Sequence, residues 1–403
     1  MKEASRNAAD AGGVVGPDVV AACALASVPG LGASGLARLT HAFGSFAEAL
    51  DAGPKTLLGR ADELRLRPET RDFLSRKPDL EELGIWAVDA ARAAGARIVV
   101  LGDPWYPSLL RQIENPPPVL YVRGGLAAEM KRVALVGARA ADDYGLQLAR
   151  TLGEELAMAG VQVISGGALG IDAAAHAGAL WGQGTTVAVL GSGIDMPYPK
   201  ENEALFERLS TGGGAVVSEF PPGTASNRSN FPRRNRTIAG LSHATVVIRA
   251  TEQSGALITA NHAAVQGRPI FAVPGQAGDE LSAGPNHLLT AGAARAVTSA
   301  RDILQLLQWP VPGRLGTEEV DAPHRKRPTV LPPPEPRAAR ADPQVLDELA
   351  LRLWHLLDDR RPLHVDELAA RSQLPAHEAL RKLTELELKG LCLQKPGKYF
   401  LRR

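Results

Sequence analysis

Residues 231–242 of the chain, FPRRNRTIAGLS, set Arg233, Arg234 and Arg236 around Asn235, just ahead of an apolar, helix-compatible run. A guanidinium fork matches phosphate oxygens bidentately, and a carboxamide supplies both a donor and an acceptor. These residue types at this spacing describe a receptor for anions. Two earlier segments reach the same chemistry by another route. VGAR (136–139) and SGGALGID (165–172) each follow a β-branched run and precede a helix-compatible one. Free amides and the helix dipole favour an anion at such a turn, and glycine lets the backbone come close to it. Gly137 and Arg139 lie in the first turn, and Ser165, Gly166, Gly167 and Gly170 in the second. A third turn, GSGIDMPYPK (191–200), adds Gly191, Gly193, Tyr198 and Lys200. A tight strand–helix connection needs glycine whatever its function, so no single turn is decisive. Three such turns with an arginine loop predict one phosphate-lined edge on an α/β sheet.

None of these turns carries G-x-G-x-x-G, and G-x-x-x-x-G-K-[ST] occurs nowhere in the chain. Acid–base chemistry finds little support. Asp172 reads as the N-cap of the helix AAAHAGAL, with His176 one turn on packing against the sheet. Glu219, in SEFPPG, sits beside the arginine segment and reads as a partner that orients an arginine. No nucleophile stands at a meaningful spacing from these groups, so no catalytic residue, metal site or cofactor is expected.

Composition narrows the partner. Forty-five Lys and Arg against 44 Asp and Glu leave a formal charge of +1. Binding duplex DNA by bulk charge needs a far more basic surface, so any nucleic-acid contact is a local patch. The two cysteines, Cys23 and Cys392, lack metal-ligand spacing and fit a reducing cytoplasm. The N-terminal MKEASRNAADAGG has no apolar signal core, and no long uninterrupted apolar run follows, which predicts a cytoplasmic protein without membrane contact.

The elements that position this edge follow from periodicity. After a polar tail (1–18), residues 19–45 read as two short helices around VPGLG (28–32), and helical spacing continues to about residue 94. That segment (19–95) reads as a small helical domain of SAM or helix-hairpin-helix type, its hairpin either a packing module or a phosphate contact. From Arg97 seven short β-branched runs recur: ARIVVLG, KRVALVG, VQVISGG, TVAVLGS, AVVSEF, ATVVIRA and PIFAVPG. Helix-length stretches separate most of them, and Leu146, Ala149, Leu152 and Leu156 share one helical face. This predicts an α/β fold: a Rossmann-like, doubly wound, mostly parallel sheet over 97–308. Its last helix, DILQLLQW (302–309), serves equally as sheet packing or as a surface for a dimer or recombinase. A Pro-rich linker (309–342), with a basic run from His324 to Arg327, leads to a winged helix (343–403) whose hairpin turns at Pro396-Gly397. Its recognition helix carries Glu378, Glu385 and Glu387, so a protein or structural contact fits it at least as well as duplex reading.

Taken in order, YPSLLRQIENPPPVLYVRG, VGAR, SGGALGIDAAAH, GSGIDMPYPKEN, SEFPPG, FPRRNRTIAGLS, SGALITA, AVPG and SAGPNHLLTAGA resemble the DNA-processing protein A family, DprA or Smf. The resemblance spans nearly the whole chain and is densest from Tyr106 to Ala293. It implies an extended Rossmann-like domain that binds single-stranded DNA without catalysis. It further implies protection of incoming DNA in natural transformation, loading of RecA recombinase and a homodimer. Carried over, Arg139 and Lys200 become the first phosphate ligands. Ser165, Gly166 and Gly170 form a backbone pocket that Arg234, Asn235 and Arg236 complete. Two departures stand out: Gly167 replaces a common Leu and is expected to loosen its turn, and Ala138 removes a hydroxyl. Four cations (Arg139, Lys200, Arg234, Arg236) imply a log–log salt slope of about −3, at about −0.7 per phosphate. The competing functions are a Rossmann-like nucleotide hydrolase using Glu219 or Asp172, which would need a P-G-G-x-G-T loop absent here, and a winged-helix transcription regulator.

Overall fold

The computed structural model of the protein describes residues 16–315, 347–358, 362–388, 391–395 and 399–402. Most of the expected N-terminal tail and Pro-rich linker, with the His324–Arg327 run and the Pro396-Gly397 turn, lie outside the described residues. The chain forms two units, Met1–Thr317 and Glu318–Arg403.

The first unit is built on nine strands: β1 (Arg97–Val100), β2 (Val119–Gly124), β3 (Arg132–Val136), β4 (Gln162–Ser165), β5 (Thr186–Leu190), β6 (Ala215–Ser218), β7 (Ala244–Val247), β8 (Ile270–Ala272) and β9 (Arg295–Ala296). Their order across the sheet is β1-β2-β6-β5-β4-β3-β7-β8-β9. All pairs from β6 to β9 are parallel. The sequence predicts seven of these strands and misses two. β2 lies behind three prolines with only a four-residue helix before it, and β9 has two residues, so neither shows a strand–helix period. β1 therefore pairs with β2, and β2 with β6, both antiparallel. From β3 the chain winds outward through β4, β5 and β6, then returns to the other side of β3 as β7. The crevice between β3 and β7 is the topological switch point, where ligands of open α/β sheets bind.

Period-2 alternation buries both faces. Along β5, Val187 and Val189 face one layer, while Ala188 and Leu190 face another. On β3, Ala134 and Val136 join the first of these layers, whereas Val133 and Leu135 pack with Ala149, Leu152 and Leu156 of the helix Asp143–Met158. The helix Ala300–Leu306 belongs to the same layer: Ile303 and Leu304 are buried, and Trp309 meets His243 edge-on with ring centroids 5.0 Å apart. The apolar residues of DILQLLQW thus pack on the sheet.

The N-terminal helices, Pro17–Ala26 through Leu80–Ala93, share one core with Tyr121, Leu190, Val216 and Phe206. GLGASG (30–35) has G-x-G-x-x-G spacing, yet it joins the helices Pro17–Ala26 and Ala33–Phe43 with no strand before it. It therefore lacks the context of a dinucleotide fingerprint.

The second unit contains helices Glu348–Leu356, Val365–Ser372 and Ala376–Leu388 and the strands β10 (Leu363–His364), β11 (Cys392–Lys395) and β12 (Tyr399–Arg402), ordered β10-β12-β11. This is a winged helix. On its third helix Lys382 is buried and ion-paired with Asp347 and with Glu385, the latter at 3.1 Å. Arg381 lies 4.0 Å from Glu378.

Candidate nucleic-acid interface

A cavity of about 400 Å³ opens at the switch point. One wall is the turn after β3, with Gly137 and Arg139; another is the helix Asn230–Gly240, with Phe231, Arg234, Asn235 and Ile238; a third is Ser254 to Thr259 at the start of the helix Gly255–Val265. Arg228, Pro232, Ala168 and the acidic Asp172 also line the cavity. Arg249 at the end of β7 fixes the frame. It pairs with Asp142 at 2.5 Å and with Asp279 at 2.6 Å, and Asp142 also caps the helix that follows VGAR by accepting the Gly145 amide at 2.9 Å. The end of β7 is thereby tied to the segments that follow β3 and β8.

Arg139 is exposed, and its guanidinium lies 4.7 Å from the centre of the Phe231 ring. Stacking on an aromatic face pre-orients a guanidinium for a bidentate contact without neutralising it. Arg228 is also exposed. Among the described residues no carboxylate pairs with either cation within ion-pairing distance. Lys200 is exposed too and sits on the neighbouring loop. That loop is held to the turn after β4 by Asn202, whose amide donates to the Gly167 carbonyl at 2.9 Å and to Ala168 at 3.2 Å.

Arg234 plays a different part. It is 5% exposed, and its Nη1 donates to the carbonyls of Gly166 at 2.5 Å and Val189 at 2.7 Å. Burial lowers its pKa to about 10, and it remains a cation at neutral pH. It staples the turn after β4 to the end of β5 and underlies the cavity. Asn235 accepts from Arg234 Nε at 3.0 Å and donates to the Gly255 carbonyl at 3.1 Å, bridging two walls.

Several expected ligands are engaged elsewhere. Ser165 is wholly buried and donates its hydroxyl to the Leu135 carbonyl at 2.6 Å. The Gly166 amide donates to Asp172 at 3.0 Å, so it faces the protein. Gly193 is buried, and its amide donates to the Thr224 carbonyl at 2.8 Å. Arg233 and Arg236 leave the opposite side of their helix. Arg233 lies 3.5 Å from Glu219, and Arg236 donates to the carbonyls of Glu114 and Asn115 at 3.2 and 2.6 Å. Gly170 stays at the surface with φ +77°, and a Cβ there would sit 2.4 Å from the Ala138 and Arg139 carbonyls, so only glycine brings this turn against VGAR. Gly167 does not loosen its turn. It holds φ +65° with the Phe206 ring 2.5 Å from where a Cβ would be, and the turn is closed by that ring.

Asp172 is not the N-cap. The helix begins at Ile171 with Gly170 as cap, and the Asp172 carboxylate turns back to accept the Gly166 and Ala168 amides. Burial raises its pKa, while Arg234 and those amides pull the other way. Glu219 accepts from Thr237 at 3.0 Å and lies on the Arg233 side of the helix. The two carboxylates do not converge on one site. Sequence reasoning did not place Arg228, Asn202, Arg249 or Ser254–Thr259 at the site: the last three lie in GSGIDMPYPKEN, ATVVIRA and SGALITA, segments whose motifs could have pointed to them, whereas Arg228 lies in none. Among the described residues no cluster of three His, Cys, Asp or Glu side chains could hold a metal, and no helix is long and apolar enough to cross a membrane.

His176 is buried, with Nδ1 2.7 Å from Thr186 Oγ1, and burial lowers its pKa from 6.5 to about 3. The unfolded chain then takes up a proton that the folded chain refuses. This contribution to stability is complete above pH 6.5 and is lost as pH falls toward about 3. Urea titrations between about pH 6.5 and 4.5 should show stability falling with acid, and His176→Leu should flatten that slope. An equal slope in the variant would contradict this assignment.

A cavity lined by Arg139, Arg228 and Arg234 at the switch point of an open α/β sheet, on a chain that also carries a winged helix, defines the class: a Rossmann-like protein with an appended winged helix. Residues 97–308 match the family model of DNA recombination-mediator protein A, and residues 333–398 that of the DprA winged helix domain. The chain belongs to the DprA/Smf family. It is 38% identical to protein Smf of Escherichia coli over 309 residues, 76% of this chain and 78% of that protein. It is 37% identical to the DNA processing protein DprA of Bacillus subtilis over 220 residues, 54% of this chain and 73% of that one. The X-ray structure of DprA from Streptococcus pneumoniae superposes with a TM-score of 0.58 at 30% identity, covering 72% of this chain and 98% of that structure.

Proposed function

We propose that the protein is a single-stranded DNA-binding recombination mediator that grips the sugar-phosphate backbone at the β3–β7 switch point and carries out no catalysis. The observation that carries this reading is Arg139, stacked on Phe231 and unpaired above a cavity floored by Arg234 and Asn235. A net charge of +1 with so local a cationic site suits a narrow flexible strand better than a duplex. Exposed Tyr198, on the loop of Lys200, offers a stacking surface for a base. Family membership supports the wider role: cytoplasmic protection of DNA taken up in transformation, hand-over to RecA and action as a homodimer.

The test is a salt titration of full-length protein with oligo-dT and with a duplex. With Arg234 and Arg236 engaged internally, the phosphate ligands reduce to Arg139, Arg228 and Lys200. The log–log slope for a strand that fills the switch point alone should therefore be about −2 rather than about −3. Tighter binding of the duplex than of the strand would remove the proposal. Against a nucleotide hydrolase, the Asp172 carboxylate accepts the Gly166 and Ala168 amides and faces Arg234, and Glu219 is taken up by Thr237 and Arg233.

A further inference from the structure

A second and larger hollow, about 860 Å³, lies between the helical hairpin around Gly30 and the loop Phe220–Thr224. Five arginines line it, Arg38, Arg65, Arg67, Arg233 and Arg236, and no acidic residue does. In a chain with one net charge this is a concentrated positive surface. Three of the five are engaged from outside the lining: Arg67 lies 3.8 Å from Glu69, Arg233 lies 3.5 Å from Glu219, and Arg236 donates to the Glu114 and Asn115 carbonyls. Arg38 is held in place by a bond from its Nε to the Leu64 carbonyl at 2.8 Å. Trp86 stands on the same wall, 50% exposed, against Gly223 of the facing loop.

The hollow and the switch-point cavity flank one helix. Arg233 and Arg236, three residues apart, face the hollow, while Phe231, Arg234, Asn235 and Ile238 face the cavity. We infer that the hollow is a second subsite for the same single strand, in which Arg38, Arg65 and Arg67 hold phosphates and Trp86 stacks an unpaired base. This rests on the strand-binding reading above and extends it to the N-terminal helices. A large half-exposed indole beside guanidinium groups is the surface that sequence-tolerant single-strand binders use. Binding at both subsites makes the second contact intramolecular, so affinity should rise with strand length.

The test uses full-length protein and labelled oligo-dT of about 6 and about 20 nucleotides, the shorter spanning a single subsite. Trp86→Ala with Arg67→Ala alters only exposed side chains, and circular dichroism checks the fold. The double variant should lose on the order of 10-fold in affinity for the long strand and nothing for the short one. Arg139→Ala should weaken both. Native affinity of the double variant for the long strand would overturn the subsite and leave the switch point standing; a hollow made for an acidic protein segment gives that result. Equal losses at both lengths would mark a structural role and overturn it too. If native protein binds neither strand, the switch-point reading falls and the subsite with it.

Discussion

Arg139→Ala should reduce affinity for oligo-dT by about 10- to 100-fold, the equivalent of one charge-assisted hydrogen-bonding group at about 1.5–3 kcal/mol. The unfolding midpoint should not move, because Arg139 is exposed and its guanidinium lies on the Phe231 face. The loss should be the same for every strand sequence, since a phosphate ligand positions the strand without reading bases. Arg228→Ala should act in the same direction by a smaller amount, as among the described residues no aromatic ring lies under its guanidinium. Fluorescence anisotropy with fixed salt measures both. Retained affinity when Arg139→Ala and Arg228→Ala are combined would mean that the strand does not enter the cavity.

Arg234→Met should do the reverse, lowering stability first and binding only as a consequence. It leaves the Gly166 and Val189 carbonyls without their guanidinium donor and leaves buried Asp172 without the cation that faces it. Removing one partner from such a buried set costs about 3–5 kcal/mol. The pH dependence has a definite sign. Without Arg234 the raised pKa of Asp172 rises further, and a carboxyl whose folded pKa is raised is most favourable to the fold when protonated. The deficit should therefore be larger at pH 7 than at about pH 5. Urea denaturation at both values measures it. A deficit below about 1 kcal/mol, or one that grows with acid, would show that Arg234 is not a structural staple.

The contrast between these two arginines marks how far the sequence was legible. The sheet was readable because apolar strands alternate with helices long enough to cover it, so β3 to β8 and the turns after them follow from periodicity. β2 and β9 were not readable, one shielded by prolines and the other only two residues long. At the site, a run such as FPRRNR announces cations but not their directions. A helix turns about 100° per residue, which sends Arg233 and Arg236 to one side and Arg234 to the other. Similarly, SGG announces a turn, but only the fold shows that Asp172 takes up the Gly166 amide. Arg228 lies in a loop without a pattern, and Asn202, though inside GSGIDMPYPKEN, shows its tie to the turn after β4 only in the fold.

The most direct measurement is a crystal structure of the full-length protein with oligo-dT. The account predicts backbone phosphates within hydrogen-bonding distance of the Arg139 and Arg228 guanidinium groups, in the cavity between the ends of β3 and β7. A strand bound elsewhere on the chain, with that cavity left to solvent, would contradict it.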